Sequence, residues 1–330
     1  MATTVVVTGA GAGVGRATAR EFARKGCDVA LISRDPDRLE QAAAELRGMG
    51  VRALPIPADV ADHEAVEAAA DRVEAELGPI DVWVNAAMAT VFAPVRETTA
   101  AEFRRATEVT YLGTVHGTMA ALQRMRRRKR GAIVNVGSAL AYRSVPLQAA
   151  YCGAKSAIRG FTDSLRSEIL HDRDDIHLTM VHLPAVNTPQ FDWAMNKTGR
   201  RAQPVPPIYQ PEVPARAIAF AAFHHRREIW VGFPTVTAIL ANRIAPGLAD
   251  RYLATKGYSG QLTKEPEPAH APDNLFEPVP GDYAAHGRFD DRARRGSWEM
   301  FTTYHKGAVM AAAAFGLLAG LSAAIRRPRL

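Results

Sequence analysis

Cysteine is nearly absent: Cys27 and Cys152 are the two in a chain of 330 residues. Neither stands in a Cys-x-x-Cys or other metal-ligand spacing, so a disulfide framework and a zinc site are unsupported. The ten histidines show no metal-binding spacing either, and His224-His225 reads as a helix end. Aromatics make up only 7% of the chain. None interleaves with the one strong basic run, Arg124, Arg126, Arg127, Arg128, Lys129 and Arg130, which argues against a nucleic-acid surface. The run suits the solvated end of a helix, where cations complement the helix dipole. The first apolar run is short and belongs to a strand. That predicts no signal peptide and a catalytic body facing a reducing cytoplasm.

What is present is ordered. With 47% hydrophobic residues, the chain can bury one sizeable core plus additions. A β-branched strand over 4–8 runs into Thr8-Gly9-Ala10-Gly11-Ala12-Gly13-Val14-Gly15 and then a helix over 16–25. The glycines tighten the turn, let the backbone approach a pyrophosphate and let helix pack on strand, while the phosphate meets the helix amino terminus. Strands over 28–32, 51–57, 81–85, 131–137, 176–182 and 228–233 alternate with helices. This predicts an α/β fold with a doubly wound, parallel, seven-stranded sheet of the Rossmann type.

The run Gly131-Ala-Ile-Val-Asn-Val-Gly137 is apolar and β-branched. Ser138 follows it, just past the carboxyl end of a strand, where open α/β sheets place their ligands. A helix is expected over 148–171, and it puts Tyr151 and Lys155, four apart, on one face. Cys152 points about 100° away from Tyr151 and is expected to pack. A tyrosine working as acid and base near neutral pH needs its reference pKa of about 10 lowered by about 3 units. A neighbouring lysine, together with a cationic nicotinamide, is expected to do that.

The Gly-x-x-x-Gly-x-Gly loop, Ser138 thirteen positions before Tyr151, and Tyr151-x-x-x-Lys155 together resemble the short-chain dehydrogenase/reductase family over about 3–233. The resemblance implies that Ser138 orients a substrate carbonyl or hydroxyl and Tyr151 is the general acid/base. Lys155 lowers the tyrosine pKa and holds the nicotinamide ribose. It also implies that Thr8, Gly9, Gly13, Val14 and Gly15 cradle the cofactor, that Asp59 and Val60 contact its adenine, and that Val186 and Thr188 contact its nicotinamide end. The family's Asn-Asn-Ala-Gly reads Asn85-Ala86-Ala87-Met88, so Asn85 is retained and the glycine is not. Thr110 stands where the family has an asparagine supporting a water on the lysine; either its hydroxyl holds that water or the proton relay differs. At the end of the second strand Ser33 and Arg34 replace the acid of NAD-preferring sites. A 2′-phosphate can be gripped there, so NADP is expected over NAD. Asp35 is a competing partner for Arg34.

Residues 1–233 are expected to form the catalytic body, with an insertion over 189–214. Its Phe191, Trp193, Met195 and Tyr209 suggest a lid over a small apolar carbonyl or alcohol, or simple packing on the body. A helical extension over 234–260 breaks near Pro246-Gly247, and 261–296, rich in proline and acids, reads as an extended linker. Within 297–330, the nineteen uncharged residues 307–325 would make a helix of about 28 Å against a hydrocarbon thickness of roughly 30 Å. Its weak hydrophobicity leaves a membrane anchor and a helix packed on protein equally open, and terminal arginines would favour anionic lipid. The family implies a homodimer or homotetramer through 100–130 and 148–171. The activity expected is NADP-dependent interconversion of a carbonyl and an alcohol. A silent cofactor-binding scaffold, or an epimerase or dehydratase on the same fold, are the rivals.

Overall fold

The computed structural model describes residues 2–305 and 307. The apolar, β-branched segments form strands β1 (Thr4–Thr8), β2 (Asp28–Ser33), β3 (Ala53–Pro57), β4 (Ile80–Asn85), β5 (Arg130–Ser138), β6 (Asp175–Leu183) and β7 (Glu228–Trp230). They lie in the order β7-β6-β5-β4-β1-β2-β3 with every neighbouring pair parallel. Parallel sheets are covered on both faces, and β1 is buried at every position. Alternation along it divides the core: Val5 and Val7 pack with Phe22 and Leu31, while Val6 packs with Ile32, Trp83 and Ile133 on the other face. The covering helices are α1 (Gly13–Arg24), α2 (Pro36–Arg47), α3 (His63–Glu76), α4 (Ala100–Thr107), α5 (Gly113–Arg128), α6 (Ala149–Asp172) and α7 (Glu212–Phe223). Strand order reverses between β1 and β4, the crevice where such sheets bind ligands.

The sequence boundaries shift in ways that matter. β5 runs one residue further at each end than expected, so Ser138 is its last residue. α1 begins at Gly13 instead of residue 16, so the last two loop glycines form its first turn. The helix expected over 100–130 carries a π-turn at Glu108–Leu112 between α4 and α5. Asp62 caps α3 through the Ala65 amide, 3.1 Å, as its position before that helix suggested.

After β7, helices α8 (Phe233–Ile244) and α9 (Pro246–Gln261) divide at Pro246, where a proline ring cannot continue the preceding helix. The stretch expected as an extended linker is a correction. It lies along the body: Leu262–Pro266 pairs with Arg200–Ala202 and Ala293–Arg294 with Ile208–Tyr209, and the irregular stretch between them has Leu275, Val279, Ala285 and Phe289 all buried. Arginine side chains of the body satisfy its backbone carbonyls, which composition does not reveal. A last helix, α10 (Trp298–Tyr304), returns to α7 with Tyr304 against Phe220, 5.0 Å between ring centroids. In the insertion, Tyr209 is 2% exposed within the core and Trp193 is buried, so these two pack on the body. Among the described residues, no helix is long and apolar enough to cross a membrane. Apart from Gly307, the apolar stretch 307–325 lies outside the described residues.

Candidate active site

The site begins with two chain reversals. Gly9 takes φ +68°, and a Cβ there would come within 2.8 Å of the Ala87 Cα. Gly15 has no room for a side chain, because its Cβ would lie 2.1 Å from the Gly9 carbonyl oxygen. α1 therefore starts hard against β1. Its amino terminus has no side-chain cap and no acid in the first turn, so first-turn amides lack intrahelical acceptors and the dipole favours an anion. Gly15→Ala forces backbone to move at a cost of about 1–3 kcal/mol. A lower melting temperature and loss of dinucleotide binding by titration are expected, and neither would change if the loop had slack.

β5 delivers Ser138 to the same crevice. The Ser138 hydroxyl accepts the Leu140 amide, 3.1 Å, and its proton stays available. Its backbone oxygen accepts from His182 Nδ1 at 3.1 Å, which fixes the proton of that imidazole on Nδ1. The buried His182 lies 3.6 Å from Glu228, which also accepts from the Tyr142 hydroxyl at 2.7 Å and the Trp230 indole at 2.9 Å. These four residues brace the end of β5. Sequence reasoning missed them, since a single histidine at a strand end carries no periodic signal.

On α6, Lys155 is 2% exposed and donates Nζ to the Val136 carbonyl at 2.6 Å. Burial lowers its pKa to about 7. Its Nζ lies 5.6 Å from the centre of the Tyr151 ring. Burial around the Tyr151 hydroxyl raises its pKa well above the ordinary value, and the Ser138 hydroxyl opposes this only in part. The expectation that Lys155 depresses Tyr151 is thus not met by the protein groups alone. A lysine whose pKa burial lowers to about 7 carries only part of its charge at neutral pH, and lends that much less field to Tyr151.

One cavity of about 460 Å³ joins these parts. Its wall includes Gly9, Gly13, Val14 and Gly15, then Ser33 and Arg34, then Asp59 and Val60. Ser138, Tyr151, Lys155, Val186 and Thr188 line it as well. Ser33 Oγ would sit 2.8 Å from a Cβ on Gly11, so the second strand ends directly beside the glycine loop. Asp35 does not take Arg34. Its carboxylate caps α2 through the Arg38 amide and pairs with the Arg38 guanidinium. Asp59 accepts the Ala61 amide at 3.0 Å and pairs with Arg105.

Three expected site residues are off the cavity wall. The Asn85 side chain is buried inside the sheet, where it donates to Thr118 and Asn135 and accepts from the Trp83 indole. Thr8 accepts the Ala86 and Ala87 amides at 3.1 and 3.3 Å, so it shapes the exit of β4 without facing a ligand. The Thr110 hydroxyl accepts the Ala89 amide at 2.9 Å and donates its one proton to the Ala89 oxygen at 3.0 Å. It ties the π-turn to that exit, with its one proton committed to the neighbouring backbone and its side chain off the cavity wall that Lys155 lines. At the other end of β6, away from the cavity, Asp175, His177 and His225 hold ligand-type atoms within 4.8 Å of one another and take no part in the site.

The model of the short chain dehydrogenase family matches residues 3–198. The chain belongs to the short-chain dehydrogenase family. This short-chain dehydrogenase is 30% identical over 326 residues to an uncharacterized oxidoreductase, YxnA, of Bacillus subtilis, a match spanning 97% of this chain and 90% of that one. It resembles an alcohol dehydrogenase of the archaeon Thermococcus sibiricus solved with 5-hydroxy-NADP, with 27% identity and a TM-score of 0.61 over 70% of this chain and 96% of that one. A 3-oxoacyl-[acyl-carrier protein] reductase of Brucella melitensis solved with bound NAD is also similar, with 27% identity and a TM-score of 0.59 over 69% of this chain and 89% of that one. The short-chain dehydrogenase is an oxidoreductase acting on CH–OH and C=O groups, and its cofactor is a nicotinamide dinucleotide.

Proposed function

We propose that the chain reduces an apolar ketone or aldehyde with NADPH, using Ser138, Tyr151 and Lys155. The observation that carries this reading is that those three side chains and the glycine loop open into one cavity. Ser138 Oγ donates a hydrogen bond to the substrate carbonyl oxygen, and Tyr151 gives that oxygen its proton. The nicotinamide, when bound beside them, supplies the hydride to the carbonyl carbon. Lys155 spends one donor on Val136 and has others for ribose hydroxyls. A Tyr151 pKa above the ordinary value keeps the proton on the phenol near neutral pH, ready for transfer to the carbonyl oxygen. Phe92, Leu140, Val145, Phe191 and Leu253 on the cavity wall support an apolar substrate. Exposed Phe103, Met119 and Leu170 on α4, α5 and α6 support self-association through those helices.

NADP is favoured because β2 ends in Ser33 and Arg34, and the nearby Asp35 carboxylate is committed to α2 and Arg38. The alcohol dehydrogenase neighbour solved with 5-hydroxy-NADP fits this choice, whereas the neighbour with NAD marks the alternative. Titration with NADPH and NADH, followed by nicotinamide fluorescence, tests it. NADPH is expected to bind more tightly, and Arg34→Ala to weaken NADPH about tenfold or more with little effect on NADH. Equal or tighter NADH binding by the unaltered protein would reject the assignment of Ser33 and Arg34. A screen of ketones and aldehydes with the preferred dinucleotide then identifies the substrate class.

A further inference from the structure

Between α9 and α10 the chain crosses back over the mouth of the crevice, and the residues proposed to hold the cofactor's adenosine end are the ones that hold this segment. Arg34 donates to the backbone oxygens of Asn274 and Phe276, the latter at 2.6 Å. Arg38 donates to the oxygens of Val279 and Gly281. Arg105, the partner of Asp59, donates to the Leu275 oxygen at 3.0 Å. The Gly13 amide of the glycine loop donates to the Ala284 oxygen at 3.0 Å, and Arg16 pairs with Asp282 at 2.6 Å. Asn274 and Pro278 line the same cavity as the glycine loop, so the segment roofs the crevice and leaves space beneath it.

The far end of the segment is pinned as firmly. Asp290 accepts from Asn187 and Gln210 at 2.8 and 2.9 Å. Arg288 donates to the backbone oxygens of Phe191 and Ala202 in the insertion, at 3.0 and 2.7 Å. Tyr283 packs on Trp193 of that insertion, 4.6 Å between ring centroids, with the Arg38 guanidinium over both rings. A Cβ on Gly287 would meet the Thr188 backbone oxygen at 2.4 Å, so this close approach to the nicotinamide-end strand exit needs glycine.

We infer that residues 274–290 are a built-in wall of the dinucleotide site. The cofactor's adenosine half is held in a closed channel and exchanges only when this strap lifts. The inference rests on the NADPH reading above and adds a residence-time element to it. The arginine clasp and the tie to the insertion make adenosine-end closure and substrate-side closure one movement.

The test is stopped-flow release of NADPH from the full chain, followed by nicotinamide fluorescence on displacement with excess NADP⁺. Asp290→Ala removes the far-end anchor without altering a proposed binding residue, and Gly287→Ala unseats the same end by pressing a Cβ on the Thr188 backbone. Both are expected to speed NADPH release about tenfold or more and to speed association as well. In the unaltered protein, NADPH is expected to shield Arg288 and Arg292 from trypsin. Unchanged release and association in both variants would overturn the strap as a gate. Binding by the variants but not by the unaltered protein would show that the segment fills the groove, also overturning it. Absence of binding in every form would reject the NADPH reading itself, and the inference with it. Either variant alone suffices if the other fails to fold.

Discussion

Tyr151→Phe is expected to lower NADPH-dependent carbonyl reduction by about 10²–10⁴-fold, the range of one general acid, and to leave NADPH binding unchanged. The variant removes one oxygen from a side chain at the cavity wall. The pH profile adds a second signature. Because the Tyr151 pKa is raised above its ordinary value, the proton needed for reduction is present through neutral pH and is lost only in the alkaline range. Reduction measured as kcat/KM should therefore hold level across neutral pH and decline above it. Oxidation of the matching alcohol needs the phenolate and should climb over the same alkaline range. Retention of more than about a tenth of the reductive rate by the Phe variant would place the proton donor elsewhere.

Lys155→Met should cut turnover by about a hundredfold or more and yet make the protein harder to melt. The lysine is buried with its pKa lowered to about 7, against about 10.4 in an unfolded chain. Below about pH 7 both states hold the proton, and the folded state bears the full cost of burying it. Between those two pKa values the unfolded chain binds more protons than the folded one, so stability rises with pH. Above both values the cost is gone. Methionine removes the charge at similar length, so its advantage should be greatest at or below neutral pH and shrink as pH rises. A gain of about 2–6 °C in melting temperature near pH 6.5 is expected, reduced by the Val136 carbonyl left without its donor. A variant that melts at the same temperature as the parent at every pH would mean that the lysine is not paying for its burial. Stability given up at a working residue in this way is a common bargain.

The body of the fold, and the meeting of Ser138, Tyr151 and Lys155 at one cavity, were legible because local pattern and tertiary placement coincide there. β1 is a β-branched run because both its faces are covered, and the glycines after it mark the tight approach of α1. Ser138, Tyr151 and Lys155 could be placed on one site from a strand end and a helical spacing. Asn85, Thr8 and Thr110 were harder. Each sits one step from the cavity: Thr8 and Thr110 bond the backbone at the exit of β4 and Asn85 bonds Thr118, Asn135 and Trp83 within the sheet, and a sequence motif does not say whether a side chain faces a ligand or a neighbouring group. For Tyr151 the expected lowering joins Lys155 to a cationic nicotinamide, and burial of the lysine reduces its own share of that effect. The strap was illegible for a different reason. Proline and acid content signals missing secondary structure, but its carbonyls are satisfied by Arg34, Arg38 and Arg105, all far away along the chain.

That distance sets a schedule for biogenesis. Arg34 bonds to Phe276 across 242 positions, and Arg38 to Gly281 across 243. At about 5–20 residues per second, a ribosome needs roughly 12–50 s between making one half of the clasp and making the other. During that interval the sheet and the glycine loop can assemble with the crevice uncovered. A dinucleotide present in the surroundings can therefore settle onto the nascent protein before the strap has been synthesised, and the strap closes over it afterwards.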